Sequence, residues 1–167
     1  MSTTNLLNVS NAMTEPRWLS TDEQATWLEL REFNSGLPRV IDRQLSQDAG
    51  ISGGEYAVLA AVSEAPADGV RSGDLARILE WEKSRVSHLL RRMEAKGLVA
   101  RCAASCDGRG QEIMLTPEGW NTVRSTAPGH VTLVRETVFD PLSADELLQL
   151  RNSLRKIRAA AIDRGLW

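Results

Sequence analysis

The chain has 167 residues and a mass of 18.4 kDa, the size of one compact domain or of a domain with a dimerisation extension. With 42% hydrophobic residues, 25% charged residues and a mean hydropathy of −0.27, it is able to bury a core and is not a disordered chain. No apolar run approaches the roughly 20 residues of a membrane span, so we expect a cytoplasmic protein without a membrane partner. Two cysteines and two histidines argue against a disulfide framework or a structural zinc site, and we expect no cofactor.

The net charge of −2 is distributed unevenly along the chain. Residues 1–70 carry a net charge of −6, residues 71–109 carry +4, and residues 110–167 are balanced. The cationic part is therefore the middle of the chain, which points to an anionic partner there.

The first 17 residues are polar and have no hydrophobic period, so we expect a flexible N-terminal arm over residues 1–17. Within it, the run Ser10-Asn11-Ala12-Met13 fits two interpretations equally. It is either the remnant of a cleaved expression tag, with the natural start at Met13, or part of a genuine tail.

Two capping boxes predict the first two helices. Ser20 with Glu23 opens a helix that should run to about residue 49 before Gly50 ends it. Pro38 lies inside this helix, where we expect a kink rather than a break. Ser52 with Glu55 repeats the spacing and opens a second helix, which should stop before residue 66.

The cationic segment predicts a short helix from residue 72, a tight connection over residues 80–82, and a fourth helix over residues 83–96. Gly97 should close that helix from the C′ position. Its apolar residues fall on one stripe at three- and four-residue steps, and its basic residues fall on the other faces. The stripe consists of Val86, Leu89, Leu90 and Met93.

Two β-like runs, residues 98–102 and 111–115, predict a hairpin with a long polar tip. Thr116 as N-cap then begins a fifth helix, which Pro128-Gly129 should bend or interrupt. Ser143 with Glu146 forms a third capping box and opens a last helix toward the C-terminus.

The order of short helix, tight turn, basic helix, glycine and long hairpin is that of a winged helix-turn-helix. Five motifs make the match more specific, and in order and spacing they resemble the signature of the multiple-antibiotic-resistance regulator (MarR) family over roughly residues 20–162. The motifs are Leu-Ala-Arg-Ile-Leu (75–79), Ser-Arg-Val-Ser-His (84–88), Met-Glu-Ala-Lys-Gly-Leu-Val-Ala-Arg (93–101), Asp-Gly-Arg (107–109) and Leu-Thr-Pro-Glu-Gly (115–119). The chain departs from the usual pattern at Met93, where leucine is usual, and at His88, where a basic residue is commonest.

The resemblance implies a mainly α fold with a small β-hairpin wing, in a homodimeric regulator that binds double-stranded DNA. An N-terminal dimerisation helix would cover residues 18–50, a winged helix-turn-helix DNA-binding lobe residues 51–116, and C-terminal dimerisation helices residues 117–167. The regulator would be a repressor on a pseudo-palindromic operator, relieved by a small molecule. The half-sites of that operator should lie about one helical turn, roughly 10 base pairs, apart.

The predicted DNA contacts divide into base contacts and phosphate contacts. Residues placed to approach base edges are Arg85, Ser87, His88 and Arg91. Residues better placed for phosphates are Lys83, Ser84 and Arg92. The resemblance further implies that Arg109, at the hairpin tip, enters the minor groove and that Asp107 orients it.

Two further features each allow two interpretations. Trp27, Phe33 and Tyr56 either line a pocket for a small aromatic or phenolic effector, as the family resemblance implies, or belong to the core. Cys102 and Cys106, spaced C-x3-C on the wing, are either a redox switch, in which a disulfide releases DNA, or two ordinary thiols.

The sequence gives little support to other classes of function. An enzyme needs a nucleophile with a base, a metal cluster or a phosphate loop, and the sequence has none of the corresponding motifs. The remaining alternative is a winged domain whose cationic helix docks a protein. The salt dependence of binding distinguishes DNA binding from protein docking, because DNA binding releases counterions and weakens steeply as the salt concentration rises.

Overall fold

A computed structural model describes residues 15–66, 69–103 and 111–166. The chain divides into two compact units, the first ending at Gly36 and the second beginning at Leu37. The boundary falls within the first helix. The elements are α1 (Thr21–Ala49), α2 (Gly53–Ser63), β1 (Val70–Arg71), α3 (Ser72–Ile78), α4 (Lys83–Ala95), β2 (Val99–Ala103), β3 (Gln111–Leu115), α5 (Pro117–Val134), a π-helical segment (Arg135–Phe139) and α6 (Ala144–Asp163). Among the described residues, none of these helices combines the length and the apolar character that a membrane crossing requires.

Side-chain caps begin the helices where the sequence predicts them. The backbone N–H of Ser20 donates to Glu23 Oε2 over 2.8 Å, and the N–H of Glu23 donates to Ser20 Oγ over 3.2 Å. The two other predicted capping boxes form in the same way before α2 and α6. At α5, the hydroxyl of Thr116 accepts from the N–H of Gly119. Local sequence therefore sets these four helix starts.

The two internal prolines leave their helices unbroken. Pro38 lies within continuous α1, so the helix has no break there, as predicted, and the kink stays a prediction. The prediction for Pro128-Gly129 is wrong where it allowed an interruption, because α5 continues through both residues to Val134. Gly129 instead allows close packing, since a Cβ added there would lie 2.8 Å from Asp48 Oδ2. The irregularity comes later, in the π-helical segment.

The wing strands pair as the predicted hairpin, and a third strand joins them. The antiparallel sheet has the order β1-β3-β2, with Val99 opposite Leu115 in β2–β3. In β1, Val70 lies opposite Ile113. A strand of two residues has no hydrophobic period of its own, so the sequence did not reveal β1.

The core lies in the second unit, where α2 packs against α3, α4 and α5. Leu45 of α1 is fully buried and belongs to this core, which consists of Leu45, Ile51, Val58, Leu59, Val62, Val70, Leu75, Ala76, Val86, Leu89, Leu90, Met93, Leu98, Val99 and Ile113. Close backbone approach occurs at Gly119, where an added Cβ would collide with the carbonyl oxygen of Leu98. Glycine there lets the start of α5 pack directly on the wing.

A buried carboxylate connects the start of α2 to the end of α4. Glu55 is 3% exposed, and its Oε1 lies 2.8 Å from the ammonium of Lys96. Its Oε2 accepts from the backbone N–H of Ser52 over 2.8 Å. Burial acts to raise the pKa of Glu55, but Lys96 and the Ser52 hydrogen bonds outweigh it and leave the pKa below its usual value. Glu55 therefore stays ionised at neutral pH.

The turn between α3 and α4 contains a residue in the left-handed region. Glu80 has φ = 53°, an unfavourable value for a residue with a Cβ. The N–H groups of Glu80 and Trp81 donate to the carbonyls of Arg77 and Ala76, over 3.2 and 2.9 Å. These bonds make the connection as tight as predicted and impose the strained φ on Glu80.

Replacing Lys96 by methionine should lower the free energy of unfolding by about 1–3 kcal/mol at pH 7, because the Glu55 carboxylate stays buried without its ammonium. The folded wild type keeps the pKa of Glu55 low, so the stability that Lys96 adds is present above the ordinary glutamate pKa of about 4.3. It should disappear as the pH falls through the folded-state pKa. Urea unfolding of both proteins at pH 7 and in acid, at one protein concentration, measures this. A difference independent of pH would contradict the assignment.

Replacing Glu80 by glycine should raise the free energy of unfolding by about 0.5–1 kcal/mol, because glycine adopts φ = 53° without a Cβ clash. Thermal unfolding measures the gain. The matched control is Glu82→Gly, two residues along, where φ is −60° and glycine relieves no left-handed strain. Equal effects of the two substitutions would show that Glu80 is not strained.

Candidate nucleic-acid interface

Helix α4 has one buried side and one exposed side, as its sequence predicts. Val86, Leu90 and Met93 are fully buried and Leu89 is 6% exposed. The residues predicted to contact DNA lie on the remaining faces, with Ser87 partly buried and the other six exposed: Lys83, Ser84, Arg85, His88, Arg91 and Arg92.

The cations of α4 differ from the other arginines of the lobe in their partners. In the described part of the chain, Lys83, Arg85 and Arg92 make no ion pair with a carboxylate. By contrast, Arg77 of α3 pairs with Asp74, with 2.8 Å between Nη2 and Oδ1. Arg101 of β2 pairs with Glu94, with 2.9 Å between Nε and Oε2. The exposed side of α4 therefore carries positive charge that no described acidic group compensates.

An open cleft of about 640 Å³ lies along this face. Ser52 and Gly54, at the start of α2, line one side of it, and Arg85, His88 and Arg92 of α4 line the other. Within the face, Arg91 Nη2 lies 3.4 Å from His88 Nδ1. The cleft offers hydrogen-bond donors to an anionic partner.

The start of α4 is stacked on the turn that precedes it. The guanidinium carbon of Arg85 lies 4.0 Å from the ring centroid of Trp81. Trp81 itself is partly buried and packs against the core. The sequence analysis did not predict this stack, although Arg85 follows Trp81 by four residues, a spacing that brings two side chains together on a helix.

The end of α4 is attached to the wing. Arg101 Nε of β2 donates to Glu94 Oε2 over 2.9 Å, and both side chains are partly buried. The predicted wing-tip residues Asp107 and Arg109 lie outside the described residues, as does Cys106. Cys102 is an exposed free thiol on β2, opposite Glu112. The redox switch therefore stays a prediction.

The three predicted effector residues fall in different units. Trp27 and Phe33 belong to the first unit and are half exposed. Tyr56 belongs to the second, with its ring centroid 4.6 Å from that of His130. Burial raises the pKa of Tyr56, with Glu64 adding to the effect, and burial lowers the pKa of His130. A pocket shared by the three aromatic residues stays a prediction.

Comparison with known proteins agrees with this arrangement. A sequence model described as the MarR family matches residues 49–110. Sco3205, a MarR family transcriptional regulator from Streptomyces coelicolor solved in complex with DNA, is 38% identical, with a TM-score of 0.81 over 88% of this chain and 92% of that one. AbsC, a MarR family regulator from the same organism, is 36% identical, with a TM-score of 0.82 over 90% of this chain and 99% of that one.

A more distant match is MepR of Staphylococcus aureus in a DNA complex, 25% identical, with a TM-score of 0.74 over 84% of this chain and 99% of that one. The motif resemblance is thereby confirmed, as is the mainly α fold with a small β wing. The family consists of transcriptional regulators and not of enzymes. The chain belongs to the MarR family of winged helix-turn-helix transcriptional regulators.

Proposed function

We propose that this chain is a homodimeric repressor that binds a pseudo-palindromic DNA operator through α4 and the wing and is released by a small ligand. The observation that carries the proposal is the exposed side of α4, where Lys83, Arg85 and Arg92 have no acidic partner in the described part of the chain. Phosphates are the anions that such a surface binds, and their counterions are released on binding. The DNA complexes of Sco3205 and MepR support this assignment.

Within α4, the proposal assigns base contacts to Arg85, Ser87, His88 and Arg91. The paired N–H donors of an arginine guanidinium match the two acceptors of guanine, O6 and N7. Because an arginine side chain only donates hydrogen bonds, the contact between Arg91 Nη2 and His88 Nδ1 leaves Nε2 as the ring nitrogen of His88 that is available to a base edge. His88 would therefore contribute to base preference at a position where the family resemblance makes a basic residue commonest.

Phosphate contacts are assigned to Lys83, Ser84 and Arg92, which hold the helix in register without specifying sequence. Arg109 of the wing would enter the minor groove, oriented by Asp107. A narrow A/T-rich minor groove has an enhanced negative potential that attracts an arginine. In this arrangement α4 and the wing bind neighbouring grooves of one half-site.

A homodimer is proposed because long apolar faces stay uncovered on α1 and α6. Helix α6 has 20 residues and none of them is buried. Four exposed apolar residues, Leu147, Leu150, Leu154 and Ile157, recur at three- and four-residue steps, and Leu148 and Ile162 are also exposed. In α1, Trp27, Leu30 and Phe33 are similarly exposed. Uncovered apolar faces of this length mark an interface, and a second copy is the commonest partner.

Relief by a small aromatic or phenolic ligand, acting in the cytoplasm, completes the proposal. Its support is the aromatic character of Trp27, Phe33 and Tyr56, together with the partial exposure of each. Release of a bound operator fragment by a panel of aromatic carboxylates and phenols, at constant ionic strength, tests this part.

Selection of bound duplexes from a random pool tests the function. We expect enrichment of an inverted repeat with half-sites about one helical turn, roughly 10 base pairs, apart. Light scattering of the free protein should give a mass near twice 18.4 kDa. A pool that stays random after selection, with duplex affinity insensitive to salt, would overturn the proposal and favour a protein partner for α4. A single unrepeated half-site would argue against the dimer.

Two arginine variants test the division of contacts on α4. Arg92→Ala should weaken binding to operator and to scrambled duplex equally, and should lower the slope of log affinity against log salt by about 1. Arg85→Ala should in addition relax base preference by about 1–3 kcal/mol at one position.

The control is Lys156→Ala, which removes a cation from the side of α6 opposite its exposed apolar residues. Fluorescence anisotropy on both duplexes over a salt series gives all the values. Indistinguishable profiles for Arg85→Ala and Arg92→Ala would refute the division of roles.

A further inference from the structure

Trp81 is held on the turn before α4 by its backbone and by its side chain. Its backbone N–H donates to the carbonyl of Ala76 over 2.9 Å. Its side chain packs against the core, and a Cβ added at Gly54 of α2 would lie 3.7 Å from its Cη2. The indole is therefore a rigid platform with one face toward Arg85.

Arg85 lies on that platform for geometric reasons. Side chains of a helix point back toward its N-terminus, so a side chain covers the turn before its own Cα. Arg85 follows Trp81 by four residues, and its guanidinium carbon lies 4.0 Å from the ring centroid. Since Arg85 makes no ion pair with any carboxylate in the described part of the chain, the stack is what restrains its head group.

We infer that Trp81 is a positioning residue for sequence recognition, which holds the guanidinium of Arg85 in the orientation that a guanine edge requires. This inference rests on the proposed function. Stacking uses the face of the guanidinium, whereas its N–H donors lie in the plane and stay free for O6 and N7. Trp81 thus determines base preference without itself contacting a base.

Two physical effects make the stack matter more for operator DNA than for other DNA. A free arginine loses rotamer freedom when it is ordered against a base, and an arginine that is already stacked loses less. A phosphate accepts a cation from many directions, whereas a bidentate base contact accepts only one orientation. Loss of the stack should therefore reduce specific binding and leave nonspecific binding nearly unchanged.

The test compares Trp81→Leu, which keeps apolar bulk but removes the ring, with Trp81→Phe, which keeps a π face. Binding is measured on the selected operator and on a scrambled duplex of equal length at one salt concentration. We expect Trp81→Leu to weaken operator binding roughly 3- to 30-fold, with a much smaller change on scrambled DNA, and Trp81→Phe to retain most of the specificity.

A matched control comes from the second arginine–tryptophan stack of the described chain, in which the Arg124 guanidinium carbon lies 5.3 Å from the ring centroid of Trp120 on α5. Trp120→Leu makes the same substitution away from α4 and should leave the operator-to-scrambled ratio unchanged. Circular dichroism and thermal unfolding identify a temperature at which every variant is folded, and all binding is measured there.

A double-mutant cycle separates positioning from a general effect on the fold. In an Arg85→Ala background, Trp81→Leu should cause no further loss on operator, because the side chain that it positions is gone. An equal loss in that background, equal losses on the two duplexes, or tighter operator binding by Trp81→Leu would each overturn the inference while leaving the proposed function intact. Wild-type protein that does not distinguish operator from scrambled DNA would instead overturn the proposed function, and this inference with it.

Discussion

The burial of one side of α4 is the constraint on which the rest of the lobe depends. Val86, Leu90 and Met93 are fully buried in a core that α2 and α3 close around them. Turning the helix about its axis would bring arginine and lysine into that core, and burying unpaired charges costs far more than apolar packing returns. Apolar packing, and not attraction between charges, therefore determines which side of α4 faces outward.

Both ends of α4 are held by interactions of other kinds. At the N-terminal end, the backbone bonds of the turn fix Trp81, and Trp81 in turn carries Arg85. At the C-terminal end, Lys96 pairs with buried Glu55, and Glu94 pairs with Arg101 of the wing. A contact surface carried by a rigid element loses little conformational freedom on binding. The lobe thus presents its polar side chains at defined positions.

Helices α4 and α6 show the same periodicity with different outcomes. Each places apolar residues at three- and four-residue steps, but the stripe of α4 is buried within the chain, whereas α6 has no buried residue. The uneven charge fits this contrast, because the segment with a net charge of +4 includes α4 and the acidic residues 1–70 include α1. Phosphate attracts a cationic segment and repels an acidic one, so the charge favours α4 over α1 as the part that meets an anionic partner.

The sequence by itself determined the features that depend on neighbours within one or two helical turns. The starts of α1, α2, α5 and α6 follow from capping residues three positions apart, and the buried stripe of α4 follows from its period. The end of α4 follows from Gly97, whose φ of 71° suits a residue without a Cβ. The family motifs are equally local, and for that reason the amino-acid sequence alone is enough to carry the resemblance.

Only the tertiary structure decided the features in which distant segments meet. Strand β1 exists because Val70 pairs with Ile113, and Gly129 serves close packing on Asp48 of α1 instead of interrupting its own helix. The strained φ of Glu80 is imposed by the backbone bonds of the turn, and the pairing of Glu55 with Lys96 is made by the packing of α2 on α4. Each of these depends on a partner that local spacing does not specify, because its position is set by the packing of the whole core.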